Sequence, residues 1–271
     1  MRLRLTVKLK GSSRSIPINY FHSLSSSLYS LLRFGSEEFS EFLHSKGFLI
    51  AGRVYKLFSF AMRFEKMRIQ DARIFLDSPN CSIYITSPQI DDFIQNLLVG
   101  AFEKHEILIY GDYQSTVFSI ENIEVIPPPE FTSSMKFFAY SPLVFSIKKI
   151  VNSTEHQYYL RPDDTEEINR VLTNNLLNKF NIVNGRQGDD AFGAGNNPEL
   201  LRLTWNEEYL RRNARVTKKV TIHNASENPI DVIGIQAPFR LEGNPELIRI
   251  GYECGFGEKN SMGFGFAALA K

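Results

Sequence analysis

The chain has 271 residues, with 31 basic and 30 acidic side chains that give a net charge of +1, and 43% of its residues are hydrophobic. This composition excludes a disordered or fibrous protein, and the length allows one large domain or two smaller ones. Two cysteines, Cys81 and Cys254, are too few for a disulfide framework or a zinc site, and we expect neither a metal nor another cofactor. No apolar run reaches the ~18 residues of a membrane span, and the N-terminus lacks the apolar core of a signal peptide, so a cytoplasmic protein without membrane contact is expected.

The first half of the chain alternates between strand-like and helix-like patterns. Residues 2–10 alternate apolar and mostly basic side chains, which is typical of a strand with one buried and one basic face. Helical spacing begins at Leu24; Gly35 ends that helix, Ser36 begins a second one, and Gly47 ends the second. Further strands are predicted at 56–64, 73–76 and 82–86, a helix at 88–102, and strands at 106–110 and 116–126.

Three consecutive prolines, 127–129, form a stiff break and the predicted boundary between two domains, 1–126 and 127–271. Beyond it, strands are predicted at 137–147, interrupted by Pro142, and at 157–160, and a helix at 163–180. The last elements are strands at 200–205, 215–223 and 230–235, a helix from Asn244 with Pro245 in its first turn, and a strand at 264–269. Both halves follow the order βαββαβ, so the sequence predicts an α+β protein with two tandem copies of this plan.

The most informative segment is the glycine run, residues 255–265, in which Gly255 and Gly257 are separated by five residues from Gly263 and Gly265. Glycine allows positive φ and close approach to a ligand, and successive free N–H groups bind anions, with Lys259 adding a positive charge. The run has neither the ending of a Walker loop nor the position of a Rossmann fingerprint. A tight hairpin that needs glycine for its geometry is the alternative, but the symmetrical arrangement favours backbone recognition of a polyanion.

The glycine run resembles the glycine-rich loop of the repeat-associated RNA-binding superfamily of CRISPR systems, and the whole chain resembles the Cas6 family of CRISPR repeat endoribonucleases. The similarity covers nearly the full length and includes the N-terminal basic strand and the segments 16–20, 28–29, 56–60, 141–142 and 251–261. It implies two ferredoxin-like (RRM-like) domains in tandem, which agrees with the pattern above. It also implies a protein that cuts CRISPR precursor RNA within each repeat.

The resemblance implies a catalytic trio, with Tyr29 on the first helix, His44 after it and Lys56 on the next strand. The segment between His44 and Lys56 is longer than in some relatives, so Lys46 is the alternative to Lys56. His22 is the rival histidine, although its spacing to any lysine is poorer. Without the resemblance, the trio would be interpreted as an aromatic residue of an amphipathic helix, a histidine at a helix end and a solvated charge.

The chemistry implied for the trio is attack by the RNA 2′-OH on the adjacent phosphate, which gives a 2′,3′-cyclic phosphate and a 5′-OH and requires no metal. One group takes the 2′-OH proton, another protonates the leaving oxygen, and a cation stabilises the phosphate. We expect Tyr29 to orient or deprotonate the 2′-OH, His44 to donate to the leaving group, and Lys56 to offset the negative charge. The sequence leaves the reverse assignment of Tyr29 and His44 open.

A second RNA-binding surface is predicted from the basic cluster, defined as Arg211, Arg212, Arg215, Lys218 and Lys219. Clustered cations of this kind follow phosphates. The alternative is an edge strand that its lysines protect from aggregation. We expect contacts to RNA shape and backbone, because neither half contains an aromatic run of the RNP type.

The sequence therefore predicts a metal-independent endoribonuclease whose partners are CRISPR precursor RNA and the mature guide RNA. A CRISPR effector complex and a homodimer are open as further assemblies. Two rival functions remain. One is a non-catalytic repeat binder or effector-complex subunit of the same superfamily, and the other is a nucleotide-binding metabolic enzyme or regulator with two domains.

Overall fold

The structure is a computed structural model, and it describes residues 1–111, 115–151, 153–186, 201–222 and 229–270. The strands before residue 127 are β1 (Arg2–Lys10), β2 (Ser15–Pro17), β3 (Phe48–Ile50), β4 (Arg53–Tyr55), β5 (Ser59–Phe64), β6 (Met67–Gln70), β7 (Arg73–Leu76), β8 (Asn80–Thr86), β9 (Glu106–Ile109) and β10 (Thr116–Ile126). The helices of this half are α1 (Phe21–Gly35), α2 (Glu37–Glu41) and α3 (Asn96–Lys104), with π-helical turns at Phe42–Lys46 and Ile90–Gln95.

The first half folds around an antiparallel sheet whose described strands lie in the order β5-β8-β1-β10-β9. Because side chains alternate along a strand, Leu3, Leu5 and Val7 of β1 share one face, and they are at most 1% exposed in a core with α1 and α3. The elements β1, α1, β5, β8, α3 and β10 follow the order βαββαβ, with β1 between β8 and β10. This is the ferredoxin-like arrangement, extended by the edge strand β9.

The second half contains the strands β11 (Ser134–Ala139), β12 (Ser146–Val151), β13 (Thr154–Tyr159), β14 (Leu201–Trp205), β15 (Thr217–Ile222), β16 (Ile230–Ile235), β17 (Pro238–Gly243) and β18 (Ala267–Leu269). Its helices are α4 (Thr165–Val183), α5 (Glu207–Arg212) and α6 (Pro245–Cys254), with a 3₁₀ turn at Asn260–Met262. The main sheet has the order β14-β17-β11-β18, which repeats the ferredoxin-like plan. The hairpins β12–β13 and β15–β16 are insertions into that plan.

The predicted α+β class with two ferredoxin-like domains is confirmed, and the three prolines lie between β10 and β11. We propose this break as the boundary between domains 1–126 and 127–271. Two residues of the first half pack across this boundary. Tyr55 and Leu57 lie in the core of the second half together with α4 and α6. None of the helices in the described ranges is long and apolar enough to span a membrane.

The bounds of several predicted strands shift in the structure, and for two of them the backbone shows the reason. The strand predicted at 137–147 is divided, since β11 ends at Ala139 and β12 begins at Ser146. Pro142 lies in the gap, where it has no N–H to donate to a neighbouring strand. The strand predicted at 56–64 begins only at Ser59, because Leu57 has a φ of 51° that interrupts the extended backbone. Residues 200 and 223, the ends of two other predicted strands, lie outside the described residues.

Arg2 makes contacts between the two halves. The alternating pattern of β1 predicts that its side chain lies on the exposed, basic face of the strand. The structure instead buries Arg2, which is 3% exposed, with its guanidinium carbon 3.2 Å from the centroid of the Tyr252 ring. Its Nε and Nη2 donate to the Tyr252 carbonyl oxygen at 3.2 and 2.6 Å. Burial lowers the pKa of Arg2 to about 9. In addition, the Ser59 hydroxyl donates to the Phe264 carbonyl oxygen at 2.9 Å, which links β5 to the glycine run.

Candidate active site

Tyr29 and His44 lie on neighbouring helical segments that are joined by a capped turn. Tyr29 is on α1, and Ser36 begins α2 by accepting a hydrogen bond from the Phe39 N–H at 3.1 Å. The π-helical turn after α2 carries His44 and ends at Gly47, which has a φ of 64°. This path brings the Tyr29 and His44 rings into edge-to-face contact, with centroids 5.4 Å apart and planes at 86°.

Contacts on two sides hold Tyr29 in a half-buried position. Its ring lies edge-to-face against Phe58 at a centroid distance of 5.7 Å, and its hydroxyl lies near the side chain of Ser261 in the glycine run. Ser261 is held in turn by Ser25, whose Oγ donates to the Ser261 carbonyl oxygen at 2.7 Å. Burial raises the pKa of Tyr29, and the smaller opposing effect comes from the side chain of Ser261. Tyr29 therefore stays protonated in neutral solution.

Lys56 binds the backbone that carries His44. Its Nζ donates to the carbonyl oxygens of Leu43 and His44, near the end of the π-helical turn where free carbonyl groups carry partial negative charge. Burial lowers the pKa of Lys56. Lys46, the alternative to Lys56, is exposed at the end of the same turn. The structure thus places Tyr29, His44 and Lys56 together.

Two adjoining cavities surround these three residues. The first has a volume of about 570 Å³ and is lined by Tyr29 and His44, among others. The second has a volume of about 590 Å³ and is lined by Lys56, Lys259 and Ser261, among others. Ser261 lines the second cavity, and its side chain lies near Tyr29, which lines the first. The site combines an imidazole, a phenol and ammonium groups, which are suited to proton transfer and anion stabilisation.

The glycines of the glycine run are buried between the two domains. All four have a φ between 77° and 91°, a region that favours glycine. A Cβ atom at Gly265 would lie 2.3 Å from the Phe256 carbonyl oxygen, and one at Gly257 would lie 2.4 Å from the Val144 carbonyl oxygen. Glycine is therefore required here for close packing within the protein.

The amides of the glycine run are largely engaged inside the protein. The N–H groups of Gly255, Gly263 and Gly265 donate to carbonyl oxygens of the chain, those of Gly251, Asn260 and Pro142 respectively. The partly exposed residues of the run are Glu258, Lys259, Ser261 and Met262. RNA contact at this run stays a prediction, and the side chains placed for it are Lys259 and Ser261, at the rim of the second cavity.

A buried lysine that the sequence analysis did not single out fixes the glycine run. Lys179 of α4 is 1% exposed, and its Nζ donates to the carbonyl oxygens of Gly255 and Gly257 at 2.7 and 2.9 Å and to Asn260 Oδ1 at 2.7 Å. Burial lowers the pKa of Lys179 to about 7. The sequence carried one signal for it, since Lys179 falls three residues after Leu176 on the apolar face of the helix.

The basic cluster is exposed on and around α5 and β15. Arg212 pairs with Glu208, and Lys219 pairs with Asp231. Arg212, Arg215 and Lys218 join Arg63 of β5 around a third cavity of about 470 Å³. In the part of the chain that the structure describes, this cavity and those at the catalytic candidates have different linings. The β15–β16 hairpin nevertheless packs on Phe264 of the glycine run. The basic cluster and the glycine run therefore lie on segments that share a hydrophobic cluster.

Comparisons with known proteins agree with this architecture. The family model described as CRISPR associated protein Cas6, C-terminal, matches residues 126–269. The chain is 26% identical over 265 residues to the CRISPR-associated endoribonuclease Cas6 1 of Methanocaldococcus jannaschii, an alignment that covers 97% of this chain and 91% of that protein.

Solved structures show the same fold. The structure from a Cas6-related gene of Pyrococcus furiosus is similar with a TM-score of 0.79 at 22% identity, over 100% of this chain and 98% of that chain. A RAMP protein that binds different RNA substrates has a TM-score of 0.76 at 22% identity, over the full length of both chains.

Proposed function

This chain belongs to the Cas6 family of CRISPR-associated proteins, and from that premise we propose that it is an endoribonuclease that cuts CRISPR precursor RNA within its repeats. The observation that carries the proposal is the contact between the Tyr29 and His44 rings at the edge of a cavity, with Lys56 bonded to the backbone of His44. The expected partners are the precursor RNA and the guide RNA that remains after cleavage.

The proposed reaction needs two groups that move protons, and Tyr29 and His44 are assigned to these roles. The 2′-oxygen of the RNA bonds to the adjacent phosphorus while the bond from phosphorus to the 5′-oxygen breaks. Histidine is the side-chain type that takes up a proton near neutral pH, so His44 takes the 2′-OH proton in this proposal, which is the reverse assignment that the sequence left open. Because burial raises the pKa of Tyr29, its protonated hydroxyl serves as the donor to the leaving 5′-oxygen. The products carry a 2′,3′-cyclic phosphate and a 5′-OH.

Lys56 acts both on the backbone and on the phosphate in this mechanism. An ammonium has three N–H groups, and the carbonyl oxygens of Leu43 and His44 accept two bonds from Lys56. The third N–H is assigned to a non-bridging phosphate oxygen, where it offsets the charge that develops in the transition state. By holding the His44 carbonyl, Lys56 also fixes the turn that orients the imidazole.

The test of the proposed function is a cleavage assay on the cognate CRISPR repeat RNA in excess chelator. We expect one discrete cut, with a 2′,3′-cyclic phosphate on the upstream product. Cleavage that appears only when a divalent cation is added back would overturn the metal-independent mechanism. A stable band shift without any cut would instead identify a non-catalytic repeat binder, and binding of mononucleotides without preference for repeat RNA would identify the small-molecule regulator.

The basic cluster is proposed to bind RNA phosphates outside the cleavage site. Replacing Arg211, Arg212 and Lys218 with alanine should weaken repeat binding and reduce the slope of log affinity against log salt by about 2, since each contact to a single strand contributes about 0.7. The measurement is a salt titration of the dissociation constant. The matched control is the triple alanine variant of Lys10, Lys104 and Lys136. These lysines are exposed, and replacing them removes the same number of positive charges. An equal slope change in both variants would place the RNA elsewhere.

A further inference from the structure

The second cavity, of about 590 Å³, offers more than the rim residues used above. It lies between the β3–β4 hairpin, the β12–β13 hairpin, α4 and the glycine run, and its volume is within the ~300–1,000 Å³ of small-ligand pockets. Lys56 and Ser261 also line it, so it opens directly beside the residues proposed to act on the phosphate. A group next to the scissile phosphate could enter it without leaving the site.

Asn175 contributes to the wall of this cavity a carboxamide whose oxygen is not satisfied. The residue is 3% exposed, and its Oδ1 accepts no hydrogen bond from any residue in the described ranges. A buried acceptor without a donor costs about 1–3 kcal/mol, which a ligand recovers by donating to it. The neighbouring Nζ of Lys179 is already engaged with three oxygen atoms of the glycine run.

The remaining polar wall is fixed by internal bonds. Glu258 accepts from Arg53 Nη1 at 3.3 Å and from the Ser146 hydroxyl at 2.5 Å, and Gln157 donates to the same hydroxyl at 3.0 Å. Val54, Leu57 and Ile147 add apolar side chains to the lining, which also contains Tyr55 and the ion pair of Lys148 with Glu155. A flat ring therefore meets apolar contacts and a preorganised polar frame, which lowers the entropy lost on binding.

We propose that this cavity binds one unpaired nucleobase of the RNA next to the scissile phosphate, and that the carboxamide of Asn175 reads its hydrogen-bonding edge. The inference rests on the proposed function, because it takes RNA as the ligand. A carboxamide offers an acceptor beside a donor, which matches the amino group and ring nitrogen of adenine, so adenine is the base expected to bind best. The Asn175 oxygen then receives the donor that it lacks within the protein.

The experiment is an abasic scan of binding. Cognate repeat RNA is made with a 2′-deoxy nucleotide that prevents cleavage, and each nucleotide flanking the cut is replaced in turn by an abasic one. We expect one position at which loss of the base weakens binding by about tenfold, in the range of a good bidentate contact. Asn175→Leu, which has a similar volume and no polar atoms, should lose the same factor on intact RNA and be insensitive to that abasic position.

A second pair of variants tests the cavity without altering the buried helix. Val54→Trp fills the cavity from an exposed position of β4 and should abolish the sensitivity to that abasic position. Leu49→Trp, on the exposed β3 of the same hairpin and outside the lining, is the matched control and should keep it. Thermal melting of each variant verifies that it is folded.

The outcomes separate this inference from the proposed function. If no abasic position weakens binding of an RNA that the wild-type protein cleaves, the proposed nucleobase pocket is wrong and the proposed endoribonuclease function stands. The pocket is also wrong if the losses of binding affinity caused by Asn175→Leu and by the abasic nucleotide are additive. A single sensitive position in a protein that never cleaves would support the pocket and reject the endoribonuclease. Absence of any repeat binding would reject both.

Discussion

Replacing His44 with alanine is expected to slow single-turnover cleavage of repeat RNA by about 10²–10⁴-fold, the usual effect of losing a general acid–base group. The affinity for RNA should remain nearly unchanged, because His44 is exposed and its ring forms no part of the buried core. The cleavage rate is measured with protein in excess, and the dissociation constant with RNA that carries a 2′-deoxy nucleotide at the cut. Unchanged cleavage by His44→Ala would remove this residue from the mechanism.

Two further variants make the His44 result specific. His156→Ala removes an exposed histidine of β13 that lies outside the linings of the cavities at the site, and it should cleave at the wild-type rate. Tyr29→Phe keeps the ring that packs against His44 and Phe58 but removes the hydroxyl. Its cleavage should fall strongly while its melting temperature changes little. A drop in stability with normal cleavage would make Tyr29 a structural residue.

The parts of the fold that were predictable are those determined by neighbours in sequence. The stop at Gly35, the cap at Ser36 and the end at Gly47 depend on local backbone chemistry, and all three hold in the structure. Strand β10 has the predicted bounds, Thr116 to Ile126, although the extra residue Glu121 shifts its register with β1 between Thr6 and Val7. The βαββαβ order of the first half followed from such elements taken together.

The elements that were missed have weak or mixed local signals. Strand β17 begins with Pro238, and its buried Phe239 and Leu241 alternate with the charged Arg240 and Glu242, so its alternation spans only two core residues. The β3–β4 hairpin consists of three-residue strands joined at Ala51 and Gly52, both with positive φ. Segments this short acquire their structure from packing, here from the core of the other domain, which sequence periodicity does not report.

The candidate site was predictable only where the resemblance supplied it. The resemblance placed Tyr29 and His44 in one site, and the structure brings their rings into contact. The glycine run was interpreted through its amides, whereas the structure uses the glycines for close packing and leaves four of the residues between Gly257 and Gly263 partly exposed. Asn175 and Lys179 were missed because they lie beside the glycine run, which is distant in sequence. Lys179 contacts the carbonyl oxygen of Gly255, which is 76 residues further along the chain. A polar residue on an apolar helix face was the one local signal.

Lys179→Met is expected to lower the free energy of unfolding by about 2–5 kcal/mol, because it leaves buried oxygen acceptors without a donor. The affected atoms are the carbonyl oxygens of Gly255 and Gly257 and the Oδ1 of Asn260. Methionine keeps the length of the side chain, so the loss reports hydrogen bonding and not a cavity. Equilibrium urea unfolding measures the change. The same variant should also slow cleavage, since Lys179 fixes the glycine run that carries Ser261.

The matched control is Thr173→Val on the same helix. Thr173 is 3% exposed, and its hydroxyl has no hydrogen-bond partner among the residues described, so removing that hydroxyl should leave stability unchanged or slightly higher. A comparable loss in Thr173→Val would show that α4 tolerates no substitution and would remove the special role of Lys179.

The pH dependence of the Lys179→Met effect gives an independent test. Burial lowers the pKa of Lys179 to about 7 in the folded protein, below its ordinary 10.5 in the unfolded chain. Between these values the unfolded chain binds more protons than the folded protein, so the wild type gains stability as the pH rises from about 7 towards 10. The variant lacks this gain, and the stability gap between the two proteins should therefore widen over that range. A gap that narrows as the pH rises would mean that the three oxygen contacts keep the folded-state pKa of Lys179 above its unfolded value, and that the ammonium is the form that holds the glycine run.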